Sequence, residues 1–63
     1  MKTMRTEKIN VEIDPSANAK YIYLKEFGRK VHKTKSFETE NNYILVDEDE
    51  NGTIIGIEII ELL

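Results

Sequence analysis

The sequence predicts an all-β fold, a single small antiparallel β-meander of about five short strands with little or no helix. Short runs in which apolar and polar residues alternate have the period of a half-buried strand. Turn-forming Pro, Gly, Asn and Asp residues separate these runs. No window of about 11 residues before residue 50 has the i, i+3, i+4, i+7 apolar spacing of a helix.

The first two strands are predicted from alternation on either side of a proline turn. Residues 9–13 alternate Ile, Val and Ile with polar residues. Residues 14–16, Asp-Pro-Ser, end this run because proline fixes φ and has no N–H. The next run, residues 19–25, places Tyr21 and Tyr23 on the same face of a second strand.

A third, weaker strand is predicted near the middle of the chain. A turn at Phe27-Gly28 precedes it, and it covers residues 31–37. Lys33 and Lys35 lie on the same strand face as Phe37. Lysines on a strand face protect a sheet edge from pairing with another chain, so the pattern is typical of an edge strand.

The last two strands are predicted to form a β-hairpin. Residues 43–47 and 53–62 are apolar and β-branched, and Asn51-Gly52 lies between them. Asn-Gly favours a two-residue type I′ turn, which needs φ > 0 at both positions. That turn would place Val46 opposite Ile57 on a wholly apolar face.

Both faces of this hairpin are largely apolar, and a small sheet covers only one of them, so we expect a second copy to cover the other in a homodimer. Gly56 lies inside the last strand, where glycine costs about 0.5–1 kcal/mol relative to alanine. We therefore expect a bulge there, or a neighbouring aromatic ring or subunit that needs the space. The predicted interface residues are Tyr43, Leu45, Ile54, Gly56, Glu58 and Ile60.

Length and composition predict one small cytoplasmic domain. The 63 residues make a single domain, with residues 1–7 as a flexible N-terminal extension. The chain has no cysteine and one histidine, so we expect no disulfide, structural zinc or cofactor. It has no apolar region typical of a signal peptide and no run of about 18 apolar residues, so we expect no membrane association.

The net charge of −3 is unevenly distributed along the chain. All 9 basic residues lie before Ser36, and 8 of the 12 acidic residues follow it. Such asymmetry favours an interaction surface, which could bind nucleic acid through the basic half. The acidic half could instead bind a small basic protein partner or a second copy.

Residues 47–58 match the calcium-binding pattern D-x-D-x-N-G-x5-E. Both flanks are predicted strands, and an extended chain puts Glu58 about 20 Å beyond Gly52. We therefore expect no metal site, a weak divalent site at the acidic turn being the alternative. His32, Ser16 and Ser36 have no sequence context that would activate them. We expect no catalytic residue and no enzymatic activity.

Nucleic-acid binding is an alternative function, in which tyrosines would stack on bases and cations would contact phosphates. An acidic protein is a poor candidate for it, so we rank it second. The residues it would use are Tyr21, Tyr23, Arg29, Lys30, Lys33 and Lys35.

Two groups of residues match the pattern of one known family. Those in the first half are Asp14, Pro15, Ala17, Ala19, Tyr21, Ile22 and Leu24. Those in the second half are Asp47, Asp49, Gly52, Ile55, Gly56, Ile57, Glu58 and Ile59. On these residues, the chain from 9 to 60 resembles the small prokaryotic family called domain of unknown function 2283. Asn18 stands where the family usually has Asp. The resemblance implies no established activity. Genes of this family are often small and lie beside small toxin-like genes, so the resemblance implies an antitoxin-like or other partner-binding role.

Overall fold

Five antiparallel strands form one sheet in the computed structural model, which describes residues 3, 4, 6, 8–24 and 30–62. This confirms the predicted all-β class and strand number. Residues 1, 2, 5 and 7 of the predicted extension, and the predicted turn at 27–28, lie outside the described residues. The strands are β1 Asn10–Asp14, β2 Ala19–Tyr23, β3 Lys33–Glu38, β4 Asn42–Glu48 and β5 Ile54–Glu61.

The strands lie in the order β1-β2-β5-β4-β3, so the predicted sequential order of a meander is wrong. β5 is the longest strand, with 8 residues, and it lies in the centre between β2 and β4. A meander would leave this isoleucine-rich strand on an exposed edge, where it could pair with another chain. β3, which contains Lys33 and Lys35, lies at an edge of the sheet, as predicted. β2 to β5 are connected as in a Greek key.

A short 3-10 turn, Pro15–Ala17, connects β1 to β2. The Asp14 side chain accepts hydrogen bonds from the N–H of Ser16 at 3.1 Å and from its hydroxyl at 2.7 Å. Asn18 ends the turn with φ of 52°, in the left-handed region. Asn and Asp both tolerate this conformation, so the departure from the family pattern at this position leaves the turn intact.

The connection from β4 to β5 is not the predicted type I′ turn. A type I′ turn needs positive φ at both Asn51 and Gly52. Gly52 has φ of 80°, but the only other described residue with positive φ is Asn18, so Asn51 does not meet this requirement. The Gly52 N–H donates to the Asp49 carbonyl at 3.0 Å, and the Asp49 N–H donates to the Thr53 carbonyl at 2.9 Å. This is the three-residue connection in which a left-handed glycine follows the turn.

The Asp49 side chain explains the different turn. Its Oδ1 accepts hydrogen bonds from the N–H groups of Asn51 and Thr53, at 2.9 and 3.0 Å. Asp side chains commonly hold a turn in this way. The extra turn residue shifts the pairing, and a bulge at Ile55 shifts it back, so the predicted pair Val46 and Ile57 is confirmed.

Strand pairing divides the sheet residues between two faces. We call the first the tyrosine face; its strand residues are Asn10, Glu12, Asp14, Ala19, Tyr21, Tyr23, Thr34, Ser36, Glu38, Tyr43, Leu45, Asp47, Gly56, Glu58 and Ile60. We call the second the aliphatic face; its strand residues are Val11, Ile13, Lys20, Ile22, Lys33, Lys35, Phe37, Asn42, Ile44, Val46, Glu48, Ile54, Ile57, Ile59 and Glu61.

The sheet is a single layer without a closed hydrophobic core. Among the residues that the structure describes, the buried apolar ones are Ala19 and Ile55 alone. On the aliphatic face Ile13 is 65% exposed and Phe37 is 54% exposed. Stable domains usually pack two layers around a core, and the described residues form only one of them. None of the described segments forms a helix long and apolar enough to cross a membrane.

Candidate functional site

A line of hydrogen bonds crosses the tyrosine face from β2 to β3. The Tyr21 hydroxyl on β2 donates to Oδ2 of Asp47 on β4. The Thr34 hydroxyl on β3 donates to Oδ1 of the same carboxylate at 2.6 Å. Asp47 therefore accepts bonds from both sides, and the line connects strands that are not all neighbours in the sheet.

Gly56 on β5 lets the Tyr21 ring pass over the strand that separates β2 from β4. A Cβ atom at Gly56 would lie 2.6 Å from Cζ and 2.7 Å from Cε1 of Tyr21. Carbon atoms normally pack at about 3.5–4.0 Å, so any side chain at this position would displace the ring. Of the alternatives predicted for Gly56, a bulge, a neighbouring aromatic ring or a subunit, the ring is the one found at this position, and it belongs to Tyr21.

Tyr21 and Tyr23 are both held as proton donors. Partial burial, followed by the hydrogen bond to Asp47, raises the pKa of Tyr21. The Tyr23 hydroxyl donates to Glu12 on β1 at 2.5 Å, and this bond raises the pKa of Tyr23. The two ring centroids are 4.7 Å apart with the planes inclined by 55°. Each ring is anchored at its hydroxyl, so the pair has a fixed geometry.

An open cleft of about 260 Å³ lies beside this tyrosine pair, where β1, β2 and β5 meet. Ala19, which is buried, leaves room there because its side chain is small. A hydrogen bond from the Ser16 hydroxyl lowers the pKa of Asp14, which keeps that carboxylate ionised. The other polar and aromatic residues that line the cleft are Glu12, Tyr21, Tyr23 and Glu58.

Glu58 is the unusual carboxylate of this cleft. It is half-buried on the central strand β5 and lies directly opposite Tyr21. Within the described part of the chain no hydrogen bond or ion pair to its carboxylate is found. An external cation could therefore bind this carboxylate without displacing an existing partner.

The two faces of the sheet differ in charge. The tyrosine face has five acidic strand residues and, among the described strand positions, no lysine or arginine; the acids are Glu12, Asp14, Glu38, Asp47 and Glu58. The aliphatic face has three lysines and two glutamates; these are Lys20, Lys33, Lys35, Glu48 and Glu61. Lys35 pairs with Glu48 at 3.1 Å. The tyrosine face is therefore strongly acidic.

Comparison with known proteins identifies the family. The family model described as "Protein of unknown function (DUF2283)" matches residues 10–62, which include all five strands. The chain belongs to the DUF2283 family. Searches of curated proteins and of solved structures gave no match. The suspected relationship is thus confirmed, and the function of this DUF2283 protein has to be argued from its own surface.

The calcium-binding pattern does not form a coordination loop. Asp47 lies on β4 and is bonded to Tyr21, whereas Asp49 caps the turn. Glu58 lies on β5, opposite Leu45. In the described ranges, no three His, Cys, Asp or Glu side chains are grouped to hold a metal ion.

A second cavity, of about 230 Å³, lies at the hairpin end of the sheet. Its lining includes Lys30, His32 and Glu50 beside the Asp49 turn. His32 is exposed, and its backbone N–H donates to the Glu48 carbonyl at 2.8 Å. Asp49 already uses its carboxylate to hold the turn, so this cavity belongs to the hairpin structure.

The predicted interface residues are not all on one face. Ile54 lies on the aliphatic face, because the bulge at Ile55 reverses the alternation; placing it beside the others was wrong. Their role at an interface stays a prediction. The five that share the tyrosine face are Tyr43, Leu45, Gly56, Glu58 and Ile60.

The residues of the nucleic-acid alternative are not brought together. Tyr21 and Tyr23 lie on the tyrosine face among carboxylates, whereas Lys33 and Lys35 lie on the opposite face. Lys30 lines the hairpin-end cavity. Arg29 lies outside the described residues.

The hydrogen-bonded network of the tyrosines also includes Asp47, Thr34 and Glu12, which were not predicted. The hairpin register could have placed Asp47 opposite Gly56, since both lie near the predicted turn. The contact with Tyr21 depends on β2 pairing with β5, and no local pattern indicates that pairing.

Proposed function

We propose that this DUF2283 protein is a non-enzymatic protein-interaction module that works as a homodimer, with the aliphatic faces of two copies packed against each other. The observation that supports it is the missing second layer: among described residues only Ala19 and Ile55 are buried apolar residues. A second sheet at a distance of about 10 Å would complete a β-sandwich.

The aliphatic face reaches the lower size limit of a specific dimer interface. Five strands about 4.8 Å apart and about six residues long give a face of roughly 24 by 20 Å, or about 500 Å². Two such faces contribute about 1,000 Å² before side-chain relief is counted, which reaches the size of specific interfaces. The apolar side chains that this would bury are Val11, Ile13, Ile22, Phe37, Ile44, Val46, Ile54, Ile57 and Ile59.

The aliphatic face is also suited to a second copy of itself. A two-fold dimer presents the same patch from both subunits, so the patch must be self-complementary. This face contains both lysines and glutamates, so opposite charges can meet across the interface. The tyrosine face has carboxylates alone among its charged strand residues within the described ranges, so two copies of it would repel each other.

Sedimentation equilibrium of the 7.3 kDa chain tests this proposal, with two matched variants. Phe37→Asp puts a charge on the aliphatic face. Phe37 is 54% exposed in one chain, so the substitution costs the monomer little folding stability. Ser36→Asp puts the same charge on the neighbouring residue, which faces the other way.

We expect a dimer for the unmodified chain and for Ser36→Asp, and a dissociation constant raised by about two orders of magnitude for Phe37→Asp. Phe37 is 54% exposed in one chain, so the dimer buries only about half of each ring, which contributes about 0.8–1.5 kcal/mol. The two-fold axis doubles this to about 1.5–3 kcal/mol, whose upper end corresponds to about two orders of magnitude in the dissociation constant. A chain that is monomeric at hundreds of micromolar would refute the proposal.

A further inference from the structure

We propose that the cleft on the tyrosine face binds the guanidinium or ammonium group of an arginine or lysine in a basic segment of a partner protein. This goes beyond dimer formation and does not require it, because the cleft and the proposed dimer interface lie on opposite faces.

Charge complementarity supports a basic partner. The five acidic side chains of the tyrosine face have no lysine or arginine beside them among the described strand residues. Complementary potentials guide association and exclude wrong partners. A segment with two or more positive charges would therefore be attracted to this face. The lysines of the other face would repel it.

The cleft provides an anchor for one cationic side chain. Glu12 and Glu58 are the cross-strand neighbours of Tyr21 on its two sides, so two carboxylates flank one ring. Glu58 is half-buried, and its carboxylate has no hydrogen-bond or ion-pair partner among the described residues. A bound cation would provide such a partner. A guanidinium can donate to both oxygens of a carboxylate.

The tyrosine rings add a second attraction for the same group. Their centroids are 4.7 Å apart, and both rings line the cleft. Cations bind aromatic rings within about 6 Å of the ring centroid, and arginine does so more often than lysine. The hydroxyl bonds to Asp47 and Glu12 hold both rings in position before a ligand arrives.

The size of the cleft fits one side chain. At about 260 Å³ it is slightly below the range of about 300–1,000 Å³ that small-molecule pockets occupy. Tyr43, Leu45 and Ile60 continue the same face on β4 and β5, where they offer apolar contact to the rest of a bound segment. This is the role we assign to the predicted interface residues of the tyrosine face.

An NMR titration with defined peptides tests the inference. The probes are a capped peptide with three arginines separated by glycines, the same peptide with neutral citrulline in place of arginine, and N-acetylarginine amide. We expect the arginine peptide to shift the amide signals of Glu12, Tyr21 and Glu58, and the citrulline peptide to leave them unchanged.

Two variants locate the site. Glu58→Gln should weaken binding of the arginine peptide about tenfold, since hydrogen bonds to charged groups are stronger than neutral ones. Glu38→Gln makes the same charge change on the same face but on edge strand β3, and it should change the affinity less than twofold. Because Glu58 has no partner in the described chain, Glu58→Gln should keep the circular dichroism spectrum of the unmodified protein.

Three results would overturn the inference. Equal binding of the arginine and citrulline peptides would remove the charge recognition. Equal losses for Glu58→Gln and Glu38→Gln would show diffuse attraction without a site. Equal affinity for N-acetylarginine amide and for the peptide would assign the cleft to a free guanidinium compound instead of a protein segment.

The same titration on Phe37→Asp separates this inference from the proposed dimer. Unchanged peptide binding by that variant is expected, since all the cleft residues come from one chain. Loss of binding there would refute the claim that the cleft is complete in one copy.

Discussion

Replacement of Gly56 by valine tests the contact between β5 and the Tyr21 ring. A Cβ atom at this position would lie 2.6 Å from Cζ of Tyr21, so the ring must move and its hydroxyl must leave Asp47. We expect Gly56→Val to lower the free energy of unfolding by more than 1 kcal/mol, although valine is the better strand residue.

The magnitude follows from opposing contributions. A hydrogen bond to a charged acceptor contributes about 1.5–3 kcal/mol, and the lower end applies because this one is only partly buried. Displacement of the ring exposes about 40 Å² of apolar surface, which costs about 1 kcal/mol. Valine loses less conformational freedom on folding than glycine, which stabilises the variant by about 0.5–1 kcal/mol. The net destabilisation is about 1.5–2 kcal/mol.

The assay is urea denaturation of four proteins at equal concentration: the unmodified chain, Gly56→Val, Tyr21→Ala and the double variant. In the Tyr21→Ala background no ring occupies the space, so Gly56→Val should raise the midpoint instead of lowering it. The coupling between the two positions should be about 1.5–3 kcal/mol. A midpoint that rises with Gly56→Val in the unmodified chain, or falls equally in both backgrounds, would refute the reasoning.

Two further predictions concern the tyrosine and the turn. The raised pKa of Tyr21 means that the folded protein retains a proton which the unfolded chain loses near pH 10, so stability should be full below about pH 10 and decrease above it. Between pH 8 and pH 11, Tyr21→Phe should lose less stability than the unmodified chain in denaturant melts. An equal loss of stability in the two proteins would contradict this account. Gly52 has φ of 80°, so Gly52→Ala should cost about 1 kcal/mol, and Gly52→Asn should cost less because Asn tolerates this region. Thermal melts compare the two, and equal stability of Gly52→Ala and the unmodified chain would contradict the turn geometry.

Local patterns predicted the strands and one register. The alternation over residues 9–13 and the apolar runs of the final hairpin depend on near neighbours in sequence, and the structure places β1, β4 and β5 there. The pair Val46 and Ile57 was also predictable. The turn type was not, because the Asp49 side chain outweighed the preference of Asn51-Gly52.

The candidate site could not be predicted, because it depends on a long-range pairing. β2 pairs with β5, which puts Tyr21 opposite Glu58 and close to Asp47. A meander would have left Tyr21 beside β3. The sequence predicted a neighbouring ring as one of three reasons for Gly56, beside a bulge and a subunit, and the ring is that of Tyr21.

The most direct test of the central claim is an isotope-filtered NOE experiment on a dimer mixed from methyl-labelled and unlabelled chains. It detects contacts between copies and identifies the face that forms them. We predict intermolecular NOEs among the aliphatic-face side chains of Ile44, Val46 and Ile57. Intermolecular NOEs from Leu45 and Ile60 of the tyrosine face, with none from the aliphatic face, would contradict the account.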